Sequence, residues 1–356
     1  MDVSHPEPAA GPVRDAGARV LETVVVGLGR VAYRFDQEPG RRTTWTHVGA
    51  YLANRSRFRI SGACDIDRDG RERFAARFPD IPVHASLDGM LAATEPEVGS
   101  ICTPPDSHRA IAERLMHCPS LRVLWCEKPL ASSLADAEAL SAAAEARGVR
   151  VVVSHVRRWT PLWRRARALI EDGAVGRLRC VRIVMPNRLW SVGAHAVDLA
   201  LFLGGPVVSV APLAVPELDE EAEPAVAALL AFRGGGYGIV QVAGLRGALV
   251  VEAEVIGDRG RIAVREDQGT IAVERFAPSA AYAGYEQLGA AVVERAATLD
   301  EASPFAAVAH EIAALCDGTV DAPTCGAADA LAGLAVLEQM SAAAHSLPKQ
   351  GPVCHG

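Results

Sequence analysis

The stretch WSVGAHAVDLALFLGG, residues 190–205, sets His195 and Asp198 three residues apart inside an otherwise apolar helical pattern. Burying either group costs several kcal/mol unless it is hydrogen-bonded or shifts its pKa. Read alone, the pair is either a satisfied structural hydrogen bond or the lining of a pocket. A second group stands in WCEKPLASS, where Glu127 and Lys128 close an apolar run. At the carboxyl edge of a parallel strand, such a lysine enters the crevice where ligands bind in these sheets. A third pattern, TVVVGLGRVAYRFD, places Gly27 and Gly29 directly after an apolar run, with Ala32 at the third position. In a dinucleotide fold the first glycine makes the tight turn and the second lets the backbone approach a pyrophosphate. The helix that follows presents its N-terminal amides to that charge. The candidate cofactor contacts in this turn are Gly27, Leu28, Gly29, Arg30 and Val31.

A glycine turn gains weight from its surroundings. The next apolar run ends GACDID, so Asp65, followed by Ile66, stands where a carboxylate would bind the adenosine ribose hydroxyls. A carboxylate there repels a 2′-phosphate and favours NAD over NADP. Gly27 and Asp65 lie far apart for this motif, and QEPGRRTTWTHVGAYL accounts for the distance. An insertion rich in Pro, Gly, Arg and Thr interrupts the first helix after Asp36, and helix resumes near His47. Extra length beside a cofactor cleft is either a lid or an inert insertion.

The elements that must position these groups alternate. Across 21–154, the runs ETVVVG, RFRISGAC, VGSICT, LRVLWC and VRVVVS are apolar almost throughout, as strands buried on both faces of a parallel sheet should be. Between them lie helical segments such as DSHRAIAERLMH and SLADAEALSAAAEARG, the second capped by Ser133 and closed by Gly148. This predicts an α/β, doubly wound dinucleotide-binding domain over 21–154. From 155 to 350 the rhythm changes. RLRCVRIVMP reads as a strand and VGAHAVDLALFLGG as a helix. AVAALLAFRGGG, YGIVQVAGL, LVVEAEVIGDRG, RIAVRED and TIAVERF read as strands joined by glycine turns, and two alanine-rich helices follow. Glycine turns imply antiparallel pairing, so the second domain is α/β with a large open, mostly antiparallel sheet. The late helix near 327–346 is expected to pack back on the first domain.

The totals exclude other classes. A chain of 356 residues, 50% hydrophobic and 22% charged, has the balance of a soluble two-domain protein. A net charge of −7 and a pI near 5.8 leave no basic footprint for nucleic acid. Eight cysteines show no CxxC and no paired metal spacing, which points to a reducing cytoplasm and no metal site. Residues 1–20, polar and proline-rich, read as a disordered lead-in rather than a signal peptide. The longest charge-free stretch, Leu199 to Pro216, is broken by GGP and two further prolines and cannot cross a membrane as one helix.

With these elements in order, the chain resembles the Gfo/Idh/MocA family of oxidoreductases along nearly its whole length. The resemblance is carried by the GxGxxA turn, Asp65, CTPPDSH at 102–108, EKP at 127–129, RRWTP at 157–161, GAHAVD at 193–198 and the late helix. It implies a Rossmann domain paired with an α/β domain whose open sheet forms the interface of a homo-oligomer, a dimer or tetramer. It implies hydride exchange between NAD and a sugar, inositol, nucleotide sugar or related polyol. Thr103, Pro104 and His108 would lie along the cofactor, while Glu127 and Lys128 reach the nicotinamide side. His195 would be the acid/base and Lys128 its catalytic partner. Arg158, Trp159, Asn187, Ser191 and Asp198 form the expected substrate-binding set. The types suit oxidation of a secondary alcohol: an imidazole, with unperturbed pKa near 6.5, takes the hydroxyl proton, and an ammonium stabilises the developing alkoxide.

Two positions depart from the family pattern. Ser191 stands where an aspartate often lies four residues before the histidine, which leaves Asp198, on the same helical face, to orient the ring. Pro105 stands where asparagine is usual. The leading expectation is an NAD-dependent dehydrogenase of a sugar-like secondary alcohol, with NADP as the lesser cofactor. A nucleotide sugar oxidised to a keto-sugar is preferred, because Arg41, Arg42, Arg157 and Arg158 offer cations for a diphosphate. The bias toward Ala, Arg, Gly and Val fits steps in secondary metabolism. Two other readings stay open: a closed-cycle epimerase or sugar–sugar oxidoreductase with retained cofactor, and a non-catalytic cofactor-binding partner.

Overall fold

Six apolar segments pair into one parallel sheet in the computed structural model, which describes residues 19–215, 225–245, 247 and 249–346. The expected lead-in falls outside the described residues apart from Arg19 and Val20. The strands are β1 (Leu21–Val26), β2 (Phe58–Cys64), β3 (Val83–His84), β4 (Val98–Ile101), β5 (Val123–Cys126) and β6 (Arg150–Val153). Their order is β3-β2-β1-β4-β5-β6, and every pairing is parallel. The order reverses between β1 and β4, which opens a crevice at their carboxyl ends. All residues of β4 and β5 are buried, which is why these runs carry no polar alternation. Five helices connect the strands: α1 (His47–Ala53), α2 (Arg68–Arg77), α3 (Leu87–Leu91), α4 (His108–Leu115) and α5 (Leu134–Ala146). Ser133 caps α5 by accepting from the Asp136 N–H, and Gly148 follows its end at φ +65°. The short β3 was not marked in the sequence, since two residues leave no periodicity to read.

The helix expected straight after the glycine turn is split. Residues 29–33 form turns, Arg34–Gln37 a 3₁₀ turn, and the regular helix begins only at His47. The join is still helical in its bonding: the His47 and Val48 N–H groups donate to the Val31 and Ala32 carbonyls, at 3.2 and 2.9 Å. The insertion is therefore looped out of one helix. Asp36 staples its base, accepting from the Trp45 N–H and the Thr46 hydroxyl at 2.6 Å each. Thr46 in turn caps α1 through the Gly49 N–H. A Cβ on Gly49 would stand 2.0 Å from the Asp36 carboxylate, so only glycine fits there. Arg41 stacks on Trp45 at 4.4 Å and reaches Glu38 and Asp300, while the Ser303 hydroxyl donates to the Thr44 carbonyl. Bonds on both flanks make the insertion a fixed strap.

The second lobe begins with α6 (Pro161–Glu171), β7 (Leu178–Val184) and α7 (Ala194–Gly204). Its sheet continues through β8 (Val207–Val215), β9 (Ala225–Phe232), β10 (Tyr237–Val242), β11 (Glu252–Gly257), β12 (Gly260–Arg265), β13 (Thr270–Pro278), β14 (Glu286–Leu288) and β15 (Val292–Arg295). The order is β14-β13-β12-β11-β7-β10-β9-β8, with β15 on β13; only β7 and β10 run parallel. Burial alternates along β9 to β12, so one face packs on helices and the other stays open. The strand β8 was hidden by Pro212, which an edge strand tolerates because its N–H side pairs with nothing. Among the described residues, no helix is long and apolar enough to cross a membrane.

Two helices come last among the described residues, α8 (Pro304–Asp317) and α9 (Ala327–His345). Phe305, Val308 and Ile312 of α8 lie in the core of the parallel sheet. Helix α9 is shared: Ala330 and Leu334 join that core, while Val336, Leu337 and Met340 join the core of the large sheet. Removing the strap's staple should cost stability without changing the fold. Asp36→Ala is expected to lower the urea-unfolding free energy by about 1–3 kcal/mol, with the circular dichroism of the native state unchanged.

Candidate active site

At the crevice between β1 and β4, Gly27 adopts φ +87°, and a Cβ there would stand 2.7 Å from Thr103 Cγ2. Gly29 instead faces open space, with no atom within 4 Å of the Cβ it lacks. One glycine is required by the turn and the other leaves room above it, which fits a pyrophosphate against the backbone. Asp65 braces the turn: one carboxylate oxygen accepts from the Leu28 N–H at 2.6 Å and the other from the Asp67 N–H at 2.8 Å. Ile66 beside it is 93% exposed, an apolar surface where an adenine ring would rest. One guanidinium nitrogen of Arg71 donates to both the Asp65 and Ile66 carbonyls, at 3.0 Å each. These residues fit a dinucleotide whose ribose carries hydroxyls.

The parallel sheet and α7 meet over Lys128. Its ammonium donates to the Ser191 carbonyl at 2.8 Å, linking the end of β5 to the π-turn Leu189–Gly193 that leads into α7. Gly193 lets that turn form, because a Cβ would stand 2.8 Å from the Arg188 carbonyl. His195, one turn later, is buried, and its Nδ1 is enclosed without a hydrogen-bond partner. That leaves Nε2 as the ring nitrogen available to a ligand. Burial, then the charges of Arg157 and Lys128 and the neighbouring His155, hold His195 well below its usual value. Burial also lowers Lys128, with Glu127 opposing and Arg157 adding to the effect. Burial thus lowers both the imidazole and the amine.

Residues 21–155 match the oxidoreductase family with an NAD-binding Rossmann fold, Gfo/Idh/MocA. The match covers the first lobe and stops at the exit of β6. Among curated proteins it is 27% identical over 169 residues to the D-apiose dehydrogenase of Paraburkholderia graminis, covering 43% of this chain and 44% of that one. It is 28% identical over 221 residues to the myo-inositol dehydrogenase Hyg17 of Streptomyces leeuwenhoekii, covering 56% and 66%. The chain spans about half the length of the curated relatives it matches. The WlbA dehydrogenase of Bordetella pertussis, solved with NADH and UDP-GlcNAcA, shares the fold at a TM-score of 0.71. It is 20% identical, over 93% of this chain and 100% of that one.

Several family-based expectations need correction. Asp198 does not orient His195. It is buried at 2% exposure and accepts the Arg158 guanidinium at 2.9–3.2 Å. Arg158 also holds Asp329 and the Thr324 carbonyl, so neither partner of this pair is open to substrate. Trp159 is buried as well and donates its indole N–H to Glu311 at 3.0 Å. His108 is fully buried and bridges the Thr103 and Pro129 carbonyls, holding the cofactor loop from behind rather than facing it. The expected diphosphate cations are mostly committed: Arg157 binds Glu266 in a two-bond fork at 2.8 and 2.9 Å, and Arg41 belongs to the strap. Arg42 remains exposed, and Arg30 pairs with Glu38. Of the remaining candidates, Ser191 and Pro104 are exposed, Thr103 and Val31 are half-buried, and Asn187 accepts the Arg188 N–H beside the cleft.

Sequence reading missed His47, His155 and Glu266. His155 packs edge-on against His195 at 5.6 Å between ring centres, with its Nδ1 3.9 Å from Asp198. Two of them sat beside marked motifs, in TWTHVG and SHVRRW, but lone histidines in apolar company carry no spacing signal. One composition signal was available: of 36 basic residues only Lys128 and Lys349 are lysines. Where arginine serves nearly every ion pair, a compact and titratable ammonium stands out.

Burial lowers His47, His155 and His195 alike. The unfolded chain protonates each near pH 6.5 while the folded chain does not, so stability falls as pH drops below that point. Each contributes up to about 1.4 kcal/mol per pH unit. His155→Gln is expected to remove one such contribution from the slope of unfolding free energy against pH, measured in urea between about pH 6.5 and 5. An unchanged slope would show that His155 titrates normally.

Proposed function

We propose that this protein oxidises a secondary alcohol of a sugar-like substrate with NAD⁺, Lys128 and His195 acting on the same oxygen. The carrying observation is the Lys128–Ser191 bond, which brings an ammonium from the first lobe to the turn that presents His195. When bound, NAD accepts hydride from the carbinol carbon. His195, neutral and with Nδ1 enclosed, takes the hydroxyl proton on Nε2. Lys128 exchanges the Ser191 carbonyl for the substrate oxygen and stabilises its negative charge. Gly27, Gly29 and Asp65 hold the dinucleotide, and Asp65 selects the form without a 2′-phosphate.

For the substrate, the buried arginines change the balance. With Arg157 and Arg158 bound to carboxylates, the cleft lacks the cationic clamp the sequence suggested for a diphosphate. An uncharged sugar or cyclic polyol fits this wall better, in keeping with the names of the apiose and inositol relatives. A nucleotide sugar keeps the support of the WlbA likeness and of the exposed Arg42. The open face of the large sheet, with Leu213, Leu229 and Tyr237 exposed, supports a homo-oligomer.

The test is turnover of NAD⁺ across aldoses, inositols and nucleotide sugars, followed by nicotinamide absorbance. Lys128→Ala and His195→Gln are each expected to lower kcat by on the order of 10²–10³. The Kd for NAD⁺ should stay within about threefold in both. Unimpaired turnover in either variant would contradict the proposal. Tightly retained cofactor with no net reduction on any substrate would transfer the same residues to a closed hydride cycle.

A further inference from the structure

Beneath the cleft runs a buried line of polar side chains with no part in the proton transfer above. The Tyr51 hydroxyl lies 2.7 Å from Ser100 Oγ, Ser100 Oγ 3.0 Å from His47 Nδ1, and His47 Nε2 3.2 Å from a Glu127 carboxylate oxygen. The second Glu127 oxygen accepts the Lys128 N–H at 3.3 Å. The direction of every bond follows from Glu127. An ionised carboxylate only accepts, so His47 donates through Nε2, Nδ1 accepts from Ser100, and Ser100 accepts from Tyr51. A second line runs the same way: Trp125 donates to Ser154 Oγ at 2.9 Å, which leaves the Ser154 proton for Glu127. The His47 ring is clamped against Trp125, 3.8 Å between centres, and edge-on to Phe305. Three chain segments, α1, β4 and the exit of β5, are thus committed to holding one carboxylate.

We propose that His47 is a positioning residue: its Nε2–H fixes the Glu127 carboxylate under the Lys128 backbone, and this anion keeps the Lys128 ammonium charged at the cleft. The groups facing Lys128 are Glu127 from its own loop, Arg157 and His155 from the exit of β6, and His195 from α7. Glu127 is the one charged group among them that favours the protonated amine. The groups facing Glu127 are His47, Ser154, Lys128 and the thiols of Cys102 and Cys126, with His155 feeling its charge. Burial alone would raise the Glu127 carboxyl; the His47 hydrogen bond, the Lys128 charge and the Ser154 hydrogen bond turn that into a lowering. Without the His47 donor the carboxyl takes up a proton, and the lysine loses its anionic neighbour.

The inference rests on the reading of Lys128 as the reactive cation for its meaning in turnover, but its test does not. Because the chain has only Lys128 and Lys349, protein grown with lysine carrying ¹³C at Cε gives two resonances, one an internal reference. In the wild type Lys128 is expected to titrate below Lys349. His47→Leu is expected to move the Lys128 titration down by about one further unit, with Lys349 unmoved. His47→Gln, whose amide nitrogen reaches the place of Nε2, should restore most of the shift. If His47→Leu does not fold, Ser100→Ala, which frees the tautomer, should move Lys128 in the same direction. A Lys128 titration unchanged, raised, or moved alike by Leu and Gln overturns the proposal. If Lys128→Ala turns substrate over as the wild type does, the reading of the site fails instead, wherever the titration lies.

Discussion

One guanidinium holds the two lobes in register. Arg158, at the exit of β6, binds the buried Asp198 in the middle of α7 and the more exposed Asp329 at the start of α9. A buried ion pair contributes little net stability, since desolvation offsets most of its attraction. What it contributes is geometry, because either partner left alone would be an uncompensated buried charge. With α7 pinned to the β6 exit, the His195 ring packs edge-on against His155, and Lys128, two residues past β5, bonds the turn that leads into α7.

The electrostatics of the cleft follow from this packing. Arg157 and Arg158 are brought inside by their carboxylates, Glu266 and Asp198, and Trp163 completes the Glu266 shell at 2.6 Å. Their positive charge, added to burial, keeps both nearby imidazoles neutral. Glu127 works in the opposite sense on Lys128. The neighbours of the cleft thereby lower the His195 imidazole, while Glu127 opposes the lowering of the Lys128 amine.

The sequence disclosed the fold well where periodicity was strong. Valine-rich runs marked five strands of the parallel sheet, and glycine turns marked the antiparallel pairs, because both are local signals. It failed where the deciding contact is long-range. Nothing near Asp198 says that its partner is Arg158, forty residues away, rather than His195 on the adjoining turn. The split helix was half legible: composition revealed the insertion after Asp36, but only the bonds from His47 and Val48 to Val31 and Ala32 show the two pieces to be one helix. His47 and His155 carried no pattern at all, since their roles arise from strands that meet only in the folded chain.

The central claim is spatial, that one ammonium and one imidazole from different lobes address one oxygen. A crystal structure with NAD⁺ and a bound polyol tests it most directly. The account predicts Lys128 Nζ and His195 Nε2 each within about 3 Å of the same hydroxyl, whose carbon faces the nicotinamide C4. A hydroxyl held at C4 by other groups, with Lys128 still on the Ser191 carbonyl, would contradict it.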